Sequence, residues 1–282
     1  MTGGAELAVA ELLGVRPVGS HALKGHVFEV ETDDGDLLVA KHDPRQDAVA
    51  AEVAGLEWLA EPGAVAVPQV RAHDHEWLVM EQVEPADPTA VAAADLGRGL
   101  ADLHGAGADA FGAAPGPERA WIGLAPMRNV PAPRWPAWYA ADRVEPYLRR
   151  AVDLGLLDRD AAAPVYAVCE RIEDLAGPPE PPARLHGDLH SGNVLWQRDR
   201  AWLIDPAAHG GHRETDLAML ALFGCPQLDT ILSAYDEHAP LADGWESRVP
   251  LHQLFPLLVH VVLFGTGYAR QTVSAARAAL RG

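Results

Sequence analysis

The stretch His186-Gly187-Asp188-Leu189-His190-Ser191-Gly192-Asn193, followed by Leu203-Ile204-Asp205-Pro206, spaces an acid, an amide and a second acid as phosphoryl transfer requires. Asp188 would accept the proton of an attacking hydroxyl. Asn193 and Asp205, the latter seventeen positions after Asp188 (205 minus 188), would hold a Mg²⁺ ion that bridges the phosphates, since hard oxygen donors suit that ion. Val194-Leu195-Trp196 and Ala201-Trp202-Leu203-Ile204 read as short strands around the polar turn Gln197-Arg198-Asp199-Arg200. Asn193 and Asp205 therefore stand at opposite ends of one hairpin and can meet the same ion. A lone acid-x-x-x-x-Asn also reads as a polar turn; the second motif tips the balance.

Upstream, residues 26–31 and 37–41 alternate around Asp33-Asp34-Gly35-Asp36, a strong turn signal, and read as a hairpin whose second strand ends at Lys41. From Asp47 to Ala60, Val49, Val53, Leu56 and Leu59 recur at helical spacing until Pro62-Gly63, which places Glu52 on a helix. Extended segments at about 67–72 and 76–83 flank His73-Asp74-His75, and Pro85 and Pro88 then mark a lobe boundary. Beyond it Val91, Leu96, Leu100 and Leu103 share one face of a helix over 89–104. Residues 111–138, rich in Pro, Gly and Trp, read as irregular. Further helices are expected at about 138–153, 160–175, 214–223 and 251–280.

With 49% hydrophobic and 22% charged residues, the 282-residue chain has ordinary globular composition. Its start lacks the basic region and apolar run of a signal peptide, and Leu254 to Gly265, interrupted by Pro256 and His260, is too short to span a bilayer. A soluble cytoplasmic protein with no membrane partner is expected. Cys169 and Cys225 show neither CxxC nor zinc spacing and read as small buried hydrophobes. A formal charge of −18, from 40 acids against 22 bases, argues against nucleic-acid binding. It suits a cationic substrate, or serves solubility alone.

The HGDLxxxN…D order resembles the small-molecule kinases of the aminoglycoside phosphotransferase class. More specifically, Ile204-Asp205-Pro206-Ala207-Ala208-His209-Gly210-Gly211-His212-Arg213-Glu214-Thr215-Asp216-Leu217-Ala218-Met219, ending with Leu222-Phe223-Gly224, is similar to the fructosamine kinase (ketosamine-3-kinase) family. That family's pattern runs roughly IDPAxxxGxREvDLAMxxLFGG after HGDLWSGN. Leu78-Val79-Met80-Glu81, Leu96-Gly97, Leu100-Ala101-Asp102-Leu103-His104, Phe111-Gly112, Ile122-Gly123, Trp135, Trp138-Tyr139 and Arg143 look like its landmarks in the right order. The resemblance covers nearly the whole chain.

It implies an α+β, two-lobed protein-kinase-like fold, with a small antiparallel-sheet lobe at about 1–84 and a mainly helical lobe at about 85–282. ATP would bind between them with Mg²⁺, and phosphate would pass to the sugar 3-hydroxyl of a small-molecule or protein-linked ketoamine. Asp188 would be the base, and Lys41, fixed by Glu52, would hold the α/β-phosphates. The segment Gly19 to Gly25 reads as a turn in which Ser20 and Gly25 would let N–H groups approach phosphates. The strand Leu78 to Val83 resembles the superfamily's hinge, with Met80 and the main chain at about Glu81 to Val83 at the adenine.

Departures bear on the sugar. His190 replaces the family's usual Trp, His209-Gly210 stands where aromatics are common, and the Asn, Thr and Gln landmarks are largely absent around Trp121 to Asn129. His186 and His190 lack a third ligand for zinc, so His186 is expected to fix the loop by hydrogen bonds. Arg213, Glu214 and Asp216 open a helix that buttresses the loop, Asp216 as a structural acceptor. Trp135, Trp138 and Tyr139 either wall the acceptor cleft by stacking on sugar or pack in the core. Other acceptors in the same fold, such as an aminoglycoside, choline or a different amino sugar, stay open. A non-catalytic nucleotide-binding module is the alternative of another class, against which Lys41, Asp188, Asn193 and Asp205 all stand.

Overall fold

The computed structural model describes residues 2–282. Helix α1 (Thr2–Leu13) leads into β1 (Pro17–Lys24), β2 (Val27–Thr32), β3 (Leu37–His42), α2 (Ala48–Ala60), β4 (Val70–His73) and β5 (Trp77–Glu81). The strands form one antiparallel sheet in the order β1-β2-β3-β5-β4. Thr32 N–H donates to Asp36 O at 3.0 Å and Gly35 adopts φ 87°, which closes the β2–β3 turn where the acidic run places it.

Because successive strand residues point to opposite faces, Leu38, Ala40 and Val79 pack with Ala5 and Val9 of α1, whereas Leu78 and Met80 pack with Val49, Val53 and Leu56 of α2. Lys41, paired with Leu78, falls on the α2 side by the same alternation. Strand β5 is buried on both faces, so it reads as a continuous apolar run.

A helical lobe follows. Helix α3 (Ala90–Gly105) is capped by Thr89, whose hydroxyl accepts the Ala92 N–H at 3.1 Å. Residues 111–138 are not wholly irregular: β6 (Arg119–Ile122) and β7 (Ala125–Arg128) form a hairpin that buries Ala120, Ile122, Ala125 and Met127. Four-residue strands built partly of Ala, with Pro126 and two arginines, carry too little alternation to stand out. Then come α4 (Trp135–Trp138), a π-helical turn over Tyr139–Val144, α5 (Glu145–Asp153), α6 (Arg159–Glu170) and α7 (Ile172–Leu175).

Two short ribbons carry the motif residues. Strand β8 (Ala183–Leu185) pairs with β11 (His209–Gly211), and β9 (Val194–Trp196) with β10 (Ala201–Leu203). Helices α8 (Glu214–Leu222), α9 (Leu228–His238), α10 (Trp245–His252), α11 (Leu254–Phe264) and α12 (Ala269–Ala279) complete the chain. Helix α3 crosses α9 so closely that a Cβ on Gly97 would lie 2.3 Å from Ile231 O. The run Trp245–Phe264 has the length and composition to cross a bilayer, more than the shorter Leu254–Gly265 stretch suggests. Its Leu251, Leu254, Phe255, Leu257, Leu258 and Val261 lie instead in the core of the helical lobe.

Candidate active site

The β8–β11 ribbon delivers the chain into His186–Asn193, and one carboxylate clamps the entry. Asp216, at the start of α8 and 1% exposed, accepts the His186 N–H at 2.8 Å, the Gly187 N–H at 3.0 Å and the His104 Nε2–H at 3.3 Å. Burial alone would raise its pKa, but the His104 ring, His186 and the Gly187 N–H hold it below the usual carboxylate range. Gly187 takes φ 82°, and a Cβ there would lie 2.2 Å from Ala207 O, so only glycine fits the turn. His186 donates from Nε2 to Ile204 O at 3.0 Å and accepts the Asp188 N–H at Nδ1, 3.3 Å. Nε2 thereby ties the loop to the residue before Asp205, and Nδ1 holds the turn into Asp188.

Asn193 donates from Nδ2 to Asp188 O at 2.9 Å and to Asp188 Oδ2 at 3.4 Å, which leaves its Oδ1 toward the cleft. The β9–β10 ribbon brings Asp205 back beside it: Ile204 N–H donates to Asn193 O at 3.1 Å. Asp205 adopts φ 53°, a left-handed conformation that Asp tolerates better than most residues. Its Oδ1 accepts a bond from Lys41 Nζ at 2.8 Å, and the same ammonium reaches both Glu52 oxygens at 2.8 and 2.7 Å. Burial works against the Lys41 charge, but Glu52 and Asp205 outweigh it and raise its pKa. Burial pushes Glu52 up to about 7 against the pull of Lys41, whereas Lys41 overcomes burial at Asp205 and lowers it.

Asp188 shares this cleft. Burial, then the Asp205 charge, pushes its pKa up to about 7, with Asn193 opposing. The cavity of about 590 Å³ between the sheet and the helical lobe is lined by Lys41, Met80, Glu81, Val83, Asp188, Asn193 and Asp205, with Glu52 behind Lys41. Its volume lies in the range of small-molecule and cofactor sites. Hard oxygen donors from Asn193 and Asp205 beside a fixed ammonium form a set that a divalent cation carrying phosphates fits.

Some expected residues stand elsewhere. Gly19 to Lys24 is strand rather than turn, and the Ser20 hydroxyl donates to Glu6 Oε1 of α1 at 2.7 Å. Gly25, at φ 58°, sits at the tip of the β1–β2 turn, and it is Leu23 and Lys24 that line the cavity. Trp135, Trp138 and Tyr139 are core residues, at most 4% exposed. Trp135 stacks on Tyr139 and on His252, while Arg143 packs over Trp138. Next to them His212, Glu214 and His252 lie close enough to hold an ion, but Arg248 grips both Glu214 oxygens, at 2.9 and 2.6 Å, making the group an ion-pair buttress for α8.

Residues that sequence reasoning missed also line the cavity: Asp43, Arg45, Trp121, Gly123 and Asn129. Arg45 Nη1 donates to Gly123 O at 2.8 Å and its guanidinium lies 4.5 Å over the Trp121 ring, so the β6–β7 hairpin is fastened to the segment after β3. No local pattern announces a contact between positions this far apart.

Against this geometry the relatives are informative. A family model described as fructosamine kinase matches residues 24–281. The probable ketoamine kinase YniA of Escherichia coli (strain K12) is 33% identical over 252 residues, covering 86% of this chain and 81% of that protein. A solved structure from Thermobifida fusca YX-ER1, proposed to be a fructosamine-3-kinase, superposes with a TM-score of 0.93 at 49% identity, covering 98% of each chain. The aminoglycoside phosphotransferase APH(2'')-Ib, solved with ADP, shares the fold with a TM-score of 0.67 at 13% identity, covering 99% of each chain. With the two-lobed α+β fold and a family match that spans the paired lysine and the acid-amide-acid loop alike, the chain belongs to the fructosamine kinase family of phosphotransferases.

Proposed function

We propose that the protein uses ATP and Mg²⁺ to phosphorylate a sugar hydroxyl, the 3-hydroxyl, of fructosamine- or ribulosamine-type ketoamines, small or protein-linked. The observation that carries this reading is one cleft in which a partly buried acid with a pKa pushed up to about 7 stands beside an amide, a second acid and an ion-paired lysine. The names of the relatives supply the acceptor class. The nucleotide would lie between the lobes at about 1–84 and 85–282. Met80 would pack on the adenine, and the Val83 N–H, which bonds no protein group among the described residues, is available to it, whereas the Glu81 N–H is already given to Gln69 O at 3.0 Å.

When bound, Mg·ATP supplies a γ-phosphoryl group whose charge is partly neutralised. Asn193 Oδ1 and Asp205 would hold the metal. Lys41, kept charged and aimed by Glu52, would hold the α/β-phosphates. Asp188 orients the acceptor hydroxyl and takes its proton; a carboxylate with a pKa near working pH is well matched to that task. Positioning and charge stabilisation carry most of the remaining work.

³¹P NMR of the protein with Mg·ATP and a ribulosamine or fructosamine, run beside an aminoglycoside panel, tests the acceptor. A new phosphate ester formed only from the ketoamine is expected; turnover of an aminoglycoside alone would overturn the substrate and keep the mechanism. A separate expectation concerns the metal. Asp205→Ala should weaken Mg·ATP binding about tenfold or more by calorimetry, because ~1.4 kcal/mol from one lost charge contact already amounts to tenfold. Unchanged affinity would remove Asp205 from the site.

A further inference from the structure

Arg143 is 0% exposed, and no carboxylate forms an ion pair with it among the described residues, although the charge of its neighbour Asp142 acts on it. Its Nη1 donates to Arg128 O at 2.6 Å and its Nη2 to Asn129 Oδ1 at 2.9 Å; the guanidinium lies 4.4 Å over the Trp138 ring, and Nε bonds nothing. A buried cation without a counter-ion is costly, and burial lowers its pKa to about 10. Arg143 lies within the π-helical turn Tyr139–Val144, a widened turn of the kind found often at functional sites. An apolar side chain of similar size would fill this core at less cost. The charge is explained if it positions something.

What it positions is Asn129, the residue after β7. An arginine offers donors only, so the atom facing it is the amide oxygen and the amide nitrogen points the other way. Asn129 is 6% exposed and lines the cleft that holds Asp188, and its nitrogen meets no protein acceptor among the described residues. The hairpin it terminates is anchored to the segment after β3: Arg119 Nη1 donates to Gln46 Oε1 at 2.8 Å and Trp121 Nε1 to Gln46 O at 3.1 Å. That segment follows the His42 end of β3, which pairs with Trp77, while Glu81 pairs with Leu38 at the other end. The hairpin therefore faces the part of the cleft away from Glu81–Val83, where an acceptor rather than the adenine would sit.

Resting on the phosphoryl-acceptor reading above, we propose that Asn129 binds the acceptor, its amide NH₂ donating a hydrogen bond to an acceptor oxygen, and that Arg143 is the positioning residue that fixes the amide in this orientation. Asn129→Asp is the discriminating variant. It keeps an oxygen for Arg143 and gives that cation a counter-ion, but removes the donor. The Tm is expected to hold or rise, the KM for the acceptor to rise about tenfold, as loss of one buried hydrogen bond allows, and the KM for ATP to stay within about twofold. Arg143→Met, which frees the amide to turn, is expected to raise the acceptor KM more than it lowers kcat. Acceptor KM values within about twofold of wild type in a folded Asn129→Asp protein would overturn the proposal and leave the pair a packing device. If the wild type turns over another acceptor and no ketoamine, the substrate assignment falls and the same KM comparison on that acceptor decides the role of Asn129. Turnover of none of them overturns both.

Discussion

Asp188→Asn is expected to lower kcat by about 10²- to 10⁴-fold, the usual contribution of a positioned general base, with little change in nucleotide affinity. The substitution keeps the shape of the side chain and its place against Asn193, whose Nδ2 lies 2.9 Å from the unaltered Asp188 main-chain oxygen. What it removes is the ability to take a proton. Burial and the Asp205 charge raise the folded-state pKa to about 7, above the ~3.9 of an unfolded aspartate. The fold therefore favours the protonated form, and ionisation costs stability increasingly as pH rises from the lower value to the higher. A neutral amide escapes that cost, so the Tm at neutral pH is expected to hold or rise while turnover collapses. Single-turnover kinetics with calorimetry of Mg·ATP binding checks both halves. Turnover comparable to wild type would rule out Asp188 as the base.

The parts of this site that could be read from sequence are those whose chemistry is local. Asp188 and Asn193 lie on one loop, and the β9–β10 ribbon, visible as two apolar runs around a polar turn, brings Asp205 back to them. The lysine at the end of β3 and the glutamate on α2 could be read for a similar reason, since strand alternation and helical spacing each set a face. The rest depends on contacts that leave no period in the chain. Strand β1 carries Pro17, Gly19 and Ser20 and is mostly exposed, so it imitates a turn; it is a strand because β2 pairs with it. Trp135 and Trp138 look like sugar platforms in a list of aromatics, yet helix packing turns them into the core. Arg143 and Asn129 are fourteen positions apart (143 minus 129), on a helical turn and at the end of a hairpin, and they meet only through the tertiary packing of the two.

Asp216→Ala is expected to cost the fold about 3 kcal/mol or more, because it strands two buried backbone N–H groups at ~1–3 kcal/mol each and takes the partner from His104. These are the His186 and Gly187 N–H groups, the first two amides of the loop that carries Asp188. Denaturant unfolding should show the loss as a lower midpoint at unchanged slope. Asp216→Asn should fall between, since its amide keeps one acceptor but turns a second donor toward groups that themselves donate. The pH dependence has a definite sign. The folded-state pKa of Asp216 is depressed, so its contribution is present above the unfolded value of ~3.9 and is lost as pH falls through the folded one. Wild type should therefore lose stability on acidification that Asp216→Ala has already lost, and the two should converge toward low pH. A loss under about 1 kcal/mol would mean that water replaces the carboxylate as acceptor, and the clamp would not be what holds the loop. If the folded fraction of the variant also turns over slowly, Asp216 sets the geometry of Asp188 as well as the stability of its loop, because the hydrogen bonds that hold the turn also fix the direction of the acid two residues on.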